Sequence, residues 1–266
     1  MKRIWIGALA LLLMLLPLLS SCGGAMQFVE NGVYQKGKTT YYLASANYVP
    51  RAYLASAKVG TLKRANMDVV DLYEINGSED ETWICDKDLT MLFYAEGAQL
   101  PTLSEMRPTA LHLQMSDVLS LGLGTIEDAA EIQKVVDAYT SGVSFLWEDV
   151  EEGYSYDRYE ILFSSAQYPA FYYSLVYLRY SEDLCLYEAV EDPTSFTPSY
   201  PGVQVTTEEY HYNVVENGVM VSKVEHLAVY HFGRDIVLDM ETGRCYRLGS
   251  DRLGQMADSY RPEDPQ

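Results

Sequence analysis

Basic residues are scarce in this chain: 19 lysines and arginines stand against 38 aspartates and glutamates, a formal charge of -19 over 266 residues. That balance excludes nucleic acid as a partner, because a phosphate backbone is met with Lys and Arg. Solubility is the plain role of such a surplus of acid, with binding of basic peptides or cations a lesser one. Cysteine is scarce too, at four residues, and none lies in a C-x-x-C or other metal-ligand spacing, so there is no disulfide framework. The four histidines, His112, His211, His226 and His231, form no H-E-x-x-H pair. On one strand, His226 and His231 would point to opposite faces. A G-x-S-x-G elbow, a P-loop and a Cys-His signature are also missing. No cofactor, no metal and no catalytic residue is therefore expected.

What is present begins at the N-terminus. Lys2 and Arg3 form a positive segment, Ile4 to Leu19 an uncharged apolar run, and Ser20 and Ser21 are small residues of the kind a signal peptidase accepts. As a helix the apolar run is about 24 Å long, short of the roughly 30 Å hydrocarbon core, and Pro17 interrupts its end. A cleaved signal is the better reading than a permanent span.

Leu19-Ser20-Ser21-Cys22 resembles the lipobox of bacterial lipoproteins, in which an aliphatic and two small residues precede a cysteine. The resemblance covers the signal and its junction only. It implies a diacylglyceryl group on the thiol of Cys22, cleavage between Ser21 and Cys22, and Cys22 as the lipidated first residue of the mature chain. Membrane lipid is then a partner through acylated Cys22. One acyl chain holds only marginally and a second signal is needed; no polybasic patch follows Cys22, so two acyl chains would supply the hold. Without Lys2 and Arg3 the 19 basic residues become 17 against 38 acidic ones, a formal charge of -21. Anionic head groups repel a domain of that sign.

With Cys22 acylated, Cys85, Cys185 and Cys245 remain, an odd number that permits at most one internal disulfide. Tyr is abundant at 23 residues while Phe numbers 7, which fits broad sheet surfaces with half-buried rings and wet hydroxyls.

Gly23 and Gly24 make a short tether. Phe28-Val29, the Asn31-Gly32 turn and Val33-Tyr34 read as a first hairpin, extended by a strand from Thr39 to Ala44. Strands follow at Val59 to Lys63, Val69 to Ile75 and Leu89 to Tyr94, antiparallel because their links are short. Trp83 and Ile84 are expected to cover that sheet, and Asp86 and Asp88 to lie in a solvated turn. Gln99 to Thr109, with Pro101 and Pro108, marks a boundary. Leu111, Leu113 and Met115 alternate as a strand. A helix over about 126–141 is capped by Thr125, buries Ile132, Val135, Val136 and Tyr139, and ends at Gly142.

Tyr159, Ile161 and Phe163 mark another strand. Ala170 to Tyr180, apolar on both faces, is expected at the middle of the sheet, with Ser181-Glu182-Asp183 turning the chain into Leu184 to Ala189. Val203 to Val215, Asn217-Gly218 and Val219 to Phe232 form a longer hairpin whose tip matches the first. Ile236 to Asp239 and Cys245 to Leu248 close the sheet, and Ser250 caps a short C-terminal helix.

Three further patterns bear on chemistry. Ser56-Ala57-Lys58 has the Ser-x-Lys spacing of some amidases, without an oxyanion motif. Gly122-Leu123-Gly124 before a helix suggests a phosphate loop, but Glu127 stands where the third glycine belongs and would repel the phosphate. Glu148, Asp149, Glu151 and Glu152 cluster beside Trp147, as paired carboxylates do in glycosidases, yet such a run is more often a solvated loop.

The expected fold class is α+β: a predominantly antiparallel β-sheet with one principal helix and a short C-terminal helix. The segments are a signal peptide at 1–21, a lipidated tether at 22–27, a β-rich subdomain at 28–105, an α+β subdomain at 106–260 and a tail at 261–266. The leading expectation of function is an extracytoplasmic lipoprotein that works as a binding or interaction module of the cell envelope, with an envelope protein or glycan as partner. An envelope hydrolase is the alternative. A solute-binding lipoprotein is third, since the repeated β-α alternation of such clefts is lacking.

Overall fold

A computed structural model describes residues 25–30, 32–51, 55–63, 69–75, 81–88, 90–116, 120–150 and 152–259. The signal segment with Ser21 and Cys22, the first part of the tether, Asn31, Leu89, Glu151 and the tail lie outside the described residues. The fold is predominantly β. It divides into two compact units, one running to Thr102 and including Gln167–Tyr173, the other formed by Leu103–Ala166 and Ser174 onward. Among the described residues no helix is long and apolar enough to cross a membrane.

The first unit is a closed seven-stranded barrel. Its strands are β1 (Ala25–Glu30), β2 (Val33–Lys36), β3 (Thr39–Leu43), β5 (Ala55–Lys63), β6 (Val69–Ile75), β7 (Trp83–Asp86) and β8 (Leu92–Ala95), with β4 (Tyr48–Pro50) outside the ring. All neighbours are antiparallel except β1 and β5, whose parallel pairing of Ala25 with Thr61 and Met26 with Leu62 closes the barrel. Closure leaves no free edge. Inward side chains fill the interior: Met26, Tyr41, Val59, Leu62, Leu72, Ile84 and Phe93 form its core.

Two expectations for this unit are corrected. Ile84 is a fully buried core residue, as expected, but it and Trp83 do not lie over the sheet: both belong to a strand of it, Ile84 pairing with Glu74 and Phe93. Asp86 is fully buried rather than solvated. Its carboxylate accepts hydrogen bonds from Thr90 N (2.7 Å), Thr90 Oγ1 (2.7 Å) and Met91 N (2.8 Å), binding the β7–β8 turn from inside.

The second unit is built on one sheet. Its strands are β9 (Ala110–Ser116), β10 (Ser120–Ile126), β11 (Ser144–Leu146), β12 (Tyr156–Ser164), β13 (Phe171–Val190), β14 (Gln204–Glu216), β15 (Val219–Asp239) and β16 (Arg244–Arg247). The order is β10-β9-β12-β13-β15-β16-β11, with β14 also paired to β15, so β13 stands at the centre. The first residues of β13, Phe171 to Tyr173, pair with β4 and belong to the first unit. The helices are a single turn, α1 (Leu103–Met106), then α2 (Ala129–Ser141) and α3 (Asp251–Ser259).

The long strands depart from expectation. Ser181-Glu182-Asp183 is no turn: the three exposed residues bulge out of β13, and pairing with β15 resumes at Leu184 opposite Gly233. Gly233 takes φ +85°, so β15 also continues through the site where a break was expected. The hairpin tip behaves as its chemistry demands, Asn217 and Gly218 taking φ +52° and +81°.

The principal helix begins at Ala129, later than expected. Thr125 and Ile126 pair with His112 and Leu111 and are therefore strand, and Asp128 is the N-cap, its Oδ1 accepting from Ala130 N (2.9 Å) and Glu131 N (3.1 Å). Gly142 follows the helix, its N–H donating to the Ala138 carbonyl oxygen at 3.1 Å, and space favours glycine there, since a Cβ would lie 2.1 Å from that oxygen. The tyrosines of this unit are not all half-wet. Tyr177 and Tyr230 are fully buried and donate to Asp235 and to Glu188 Oε2 (2.6 Å) respectively.

Candidate functional site

The expected lipid attachment at Cys22 lies outside the described residues. Within the folded units, the lysine of the Ser-x-Lys pair argues against a catalytic role. Lys58 bonds Asp71 at 2.7 Å, and that hydrogen bond raises its pKa, the opposite of what a neutral general base requires. The side chain of Ser56 lies outside the described residues. Gly122 and Gly124 sit inside β10 around a bulge, and a Cβ on Gly124 would meet Met256 Cε of α3 at 2.6 Å. Both glycines lie within a strand rather than in a loop ahead of the helix, which removes the phosphate-loop geometry.

The described residues of the acidic cluster are solvent-exposed. Glu148 and Asp149 are exposed on a single 3-10 turn, Trp147–Asp149, where Asp149 Oδ2 accepts from Leu146 N at 3.2 Å. Glu152 is also exposed. The useful feature of this region is aromatic. Trp147 meets Tyr156 edge-on at 5.6 Å, Tyr156 meets Tyr180 at 5.4 Å, and Tyr180 meets Tyr154 at 5.9 Å. Two cavities share Trp147 and Tyr156 as walls. The larger, about 220 Å³, adds Arg158, Val176, Leu178 and Met240; the smaller, about 200 Å³, adds Glu152, Tyr154 and Tyr180. Tyr180 is fully buried, and its hydroxyl has no hydrogen-bond partner among the described residues.

A second constellation joins β13 to β15. Cys185 and His231 are register partners, and the bulge brings Asp183 beside them. His231 Nδ1 lies 3.0 Å from Asp183 Oδ2 and 3.5 Å from Cys185 Sγ, while His231 Nε2 lies 3.0 Å from Thr206 Oγ1 on β14. Burial, then the charges of Asp183, Glu208 and Glu182, push the Cys185 thiol pKa up. The backbone N–H of Cys185 donates to the hydroxyl of Tyr154 at 3.2 Å.

Sequence spacing could not assemble this group. Cys185 and His231 are far apart in the chain, and their pairing depends on bulges that read locally as breaks. The legible signal was the alternation Asp183-x-Cys185, which places both on one side of a strand only if the strand continues. The other histidines are placed differently. His112 bridges Thr125 Oγ1 (2.9 Å) and Ser164 Oγ (3.2 Å), and His211 lies 3.4 Å from Glu209 on the exposed hairpin. Cys85, Cys185 and Cys245 are all free thiols.

Comparison of the chain with protein-family models, with curated proteins and with solved structures finds no match.

Proposed function

We propose that this chain is an extracytoplasmic bacterial lipoprotein, held to the cell membrane by lipid on Cys22, whose folded part is a binding module of the cell envelope with a glycan as its ligand. The α+β reading, an antiparallel sheet with one principal helix, belongs to the same proposal. The ordered signal elements ending at Leu19-Ser20-Ser21-Cys22 support the anchor. The observation that carries the glycan is the pair of aromatic cavities around Trp147 and Tyr156, with a buried, unpartnered phenol in Tyr180.

Sugar rings offer apolar faces to aromatics and hydroxyls to polar groups. Trp147 and Tyr156 supply the first, and Glu152 and Arg158 the second. Each cavity is below the roughly 300–1,000 Å³ of sites for drug-sized ligands, which suits one ring per cavity. Binding is favoured over hydrolysis because Glu152 is the one carboxylate residue among the described lining, where glycoside cleavage uses two.

Titration calorimetry of the purified protein with soluble cell-wall glycan fragments tests the ligand. Saturable binding, lost in Trp147→Ala, supports the reading; no heat with any fragment, or unchanged binding in a folded Trp147→Ala, rejects it. For the anchor, Cys22→Ser loses lipid labelling and is either released from the membrane or retained as uncleaved precursor. Full retention after verified cleavage overturns lipid tethering.

A further inference from the structure

Asp183, Cys185 and His231 bring one oxygen, one sulfur and one nitrogen to a common point, the three atoms all within 4.8 Å of one another. Zinc in four-coordinate sites takes thiolate at about 2.3 Å and imidazole nitrogen or carboxylate oxygen at about 2.0–2.2 Å. The edges of such a tetrahedron are about 3.3 Å from nitrogen to oxygen and about 3.6 Å from nitrogen to sulfur. The separations found, 3.0 Å and 3.5 Å, are close to those edges. The two edges that meet at His231 therefore need shifts of only a few tenths of an ångström, and the third, from Asp183 to Cys185, lies within 4.8 Å.

Proton placement is compatible with this. Thr206 Oγ1, 3.0 Å from His231 Nε2, accepts the Nε2 proton in one of the two ring tautomers. A neutral ring in that tautomer turns the Nδ1 lone pair towards the carboxylate of Asp183, acceptor against acceptor. A cation between them converts that repulsion into two bonds. A hydrogen bond from the distal ring nitrogen is also the usual means of orienting a metal-bound histidine. The rival occupant of the same point is a proton, giving an imidazolium–carboxylate pair.

We propose that Asp183, Cys185 and His231 form a three-ligand site for a thiophilic divalent ion of the zinc class, with the fourth position open to water or an outside ligand. Thiolate and imidazole together select such ions over magnesium and calcium, which take oxygen shells. Two ligands stand on directly paired residues of the central strands, a rigid support. This site is distinct from the aromatic cavities, and its test does not depend on any glycan.

The purified full chain in detergent micelles is titrated with cobalt(II) chloride, followed by zinc chloride as competitor. One equivalent of cobalt should give a sulfur-to-cobalt charge-transfer band in the near ultraviolet and the visible absorption of a tetrahedral ion, both removed by zinc. Cys185→Ser should abolish the charge-transfer band and weaken zinc binding at least tenfold. Asp183→Asn, at an exposed side chain that folding can spare, should keep the band and lower affinity. Thr206→Val should weaken binding by about tenfold, as lost orienting contacts do. Absence of any band in the wild-type chain, the result for an imidazolium–carboxylate pair only, overturns the proposal. So do a band that persists in Cys185→Ser and affinities equal in the wild type and a folded Asp183→Asn.

Discussion

Arg179 grips Asp235 across the centre of the second unit's sheet: the two are register partners on β13 and β15, and Arg179 Nη1 lies 2.6 Å from both carboxylate oxygens. Tyr177 donates to the same carboxylate. The other arm of the guanidinium reaches Asp258 of α3, Nη2 to Oδ2 at 2.7 Å. One side chain thus ties the central strands to the C-terminal helix. The side chains of Arg179 and Asp235 are 12% and 19% exposed, against 47% for Asp258. Arg179→Met should therefore cost about 2–4 kcal/mol, because it strands a largely buried carboxylate. Asp258→Asn should cost below about 1 kcal/mol, as an exposed partner does. Urea denaturation of the two variants separates them, and equal losses would contradict this ranking.

Gly254 lies beneath the same guanidinium. An added Cβ would stand 2.9 Å from Arg179 Nη1, and two carboxylates hold that group in place. Alanine in a helix interior normally gains about 1 kcal/mol over glycine. Here Gly254→Ala should lower the melting temperature, and a rise in calorimetry would show the guanidinium to be free to move.

Tyr180→Phe should stabilise the ligand-free protein by about 1 kcal/mol, since it removes a buried hydroxyl that lacks a partner among the described residues. Chemical denaturation reads the effect. Lower stability of the free variant would mean that the hydroxyl is already satisfied.

The thiols predict an alkaline limit. Burial pushes Cys85 from its ordinary 9.0 up to about 11 and Cys245 up to about 12. A folded pKa above the unfolded one gives stability that is whole below about pH 9 and lost as pH rises towards 11–12. Cys245→Val should flatten the fall in stability between pH 9 and 11, and an unchanged slope would remove Cys245 as its cause. At pH 8 iodoacetamide should modify half-buried Cys185 in the native protein well before fully buried Cys85 and Cys245, as mass mapping can check.

Local order was legible in the sequence. The turn Asn217-Gly218 sits where its positive φ angles are allowed, and strand β6 has the limits its alternation suggests. The buried helix face of Ile132, Val135 and Val136 follows from helical spacing. Errors gathered where a polar run or a glycine interrupts a long strand. Exposed Ser181-Glu182-Asp183 and left-handed Gly233 have turn chemistry, and a bulge uses the same residues. What separates bulge from turn is whether the partner strand continues past it, which is a distant fact.

The sequence by itself determined what depends on a few adjacent residues: the acidic charge, the Asn-Gly tip of the long hairpin and the pattern of buried faces. Only the tertiary structure decided what depends on register. It closed the barrel through the parallel pairing of β1 with β5, placed His231 opposite Cys185, and gathered Trp147, Tyr154, Tyr156 and Tyr180 around shared cavities. The reason is physical. Torsional preference and alternation act within a turn or a strand, whereas register is chosen by the summed burial and bulges of two strands far apart in the chain.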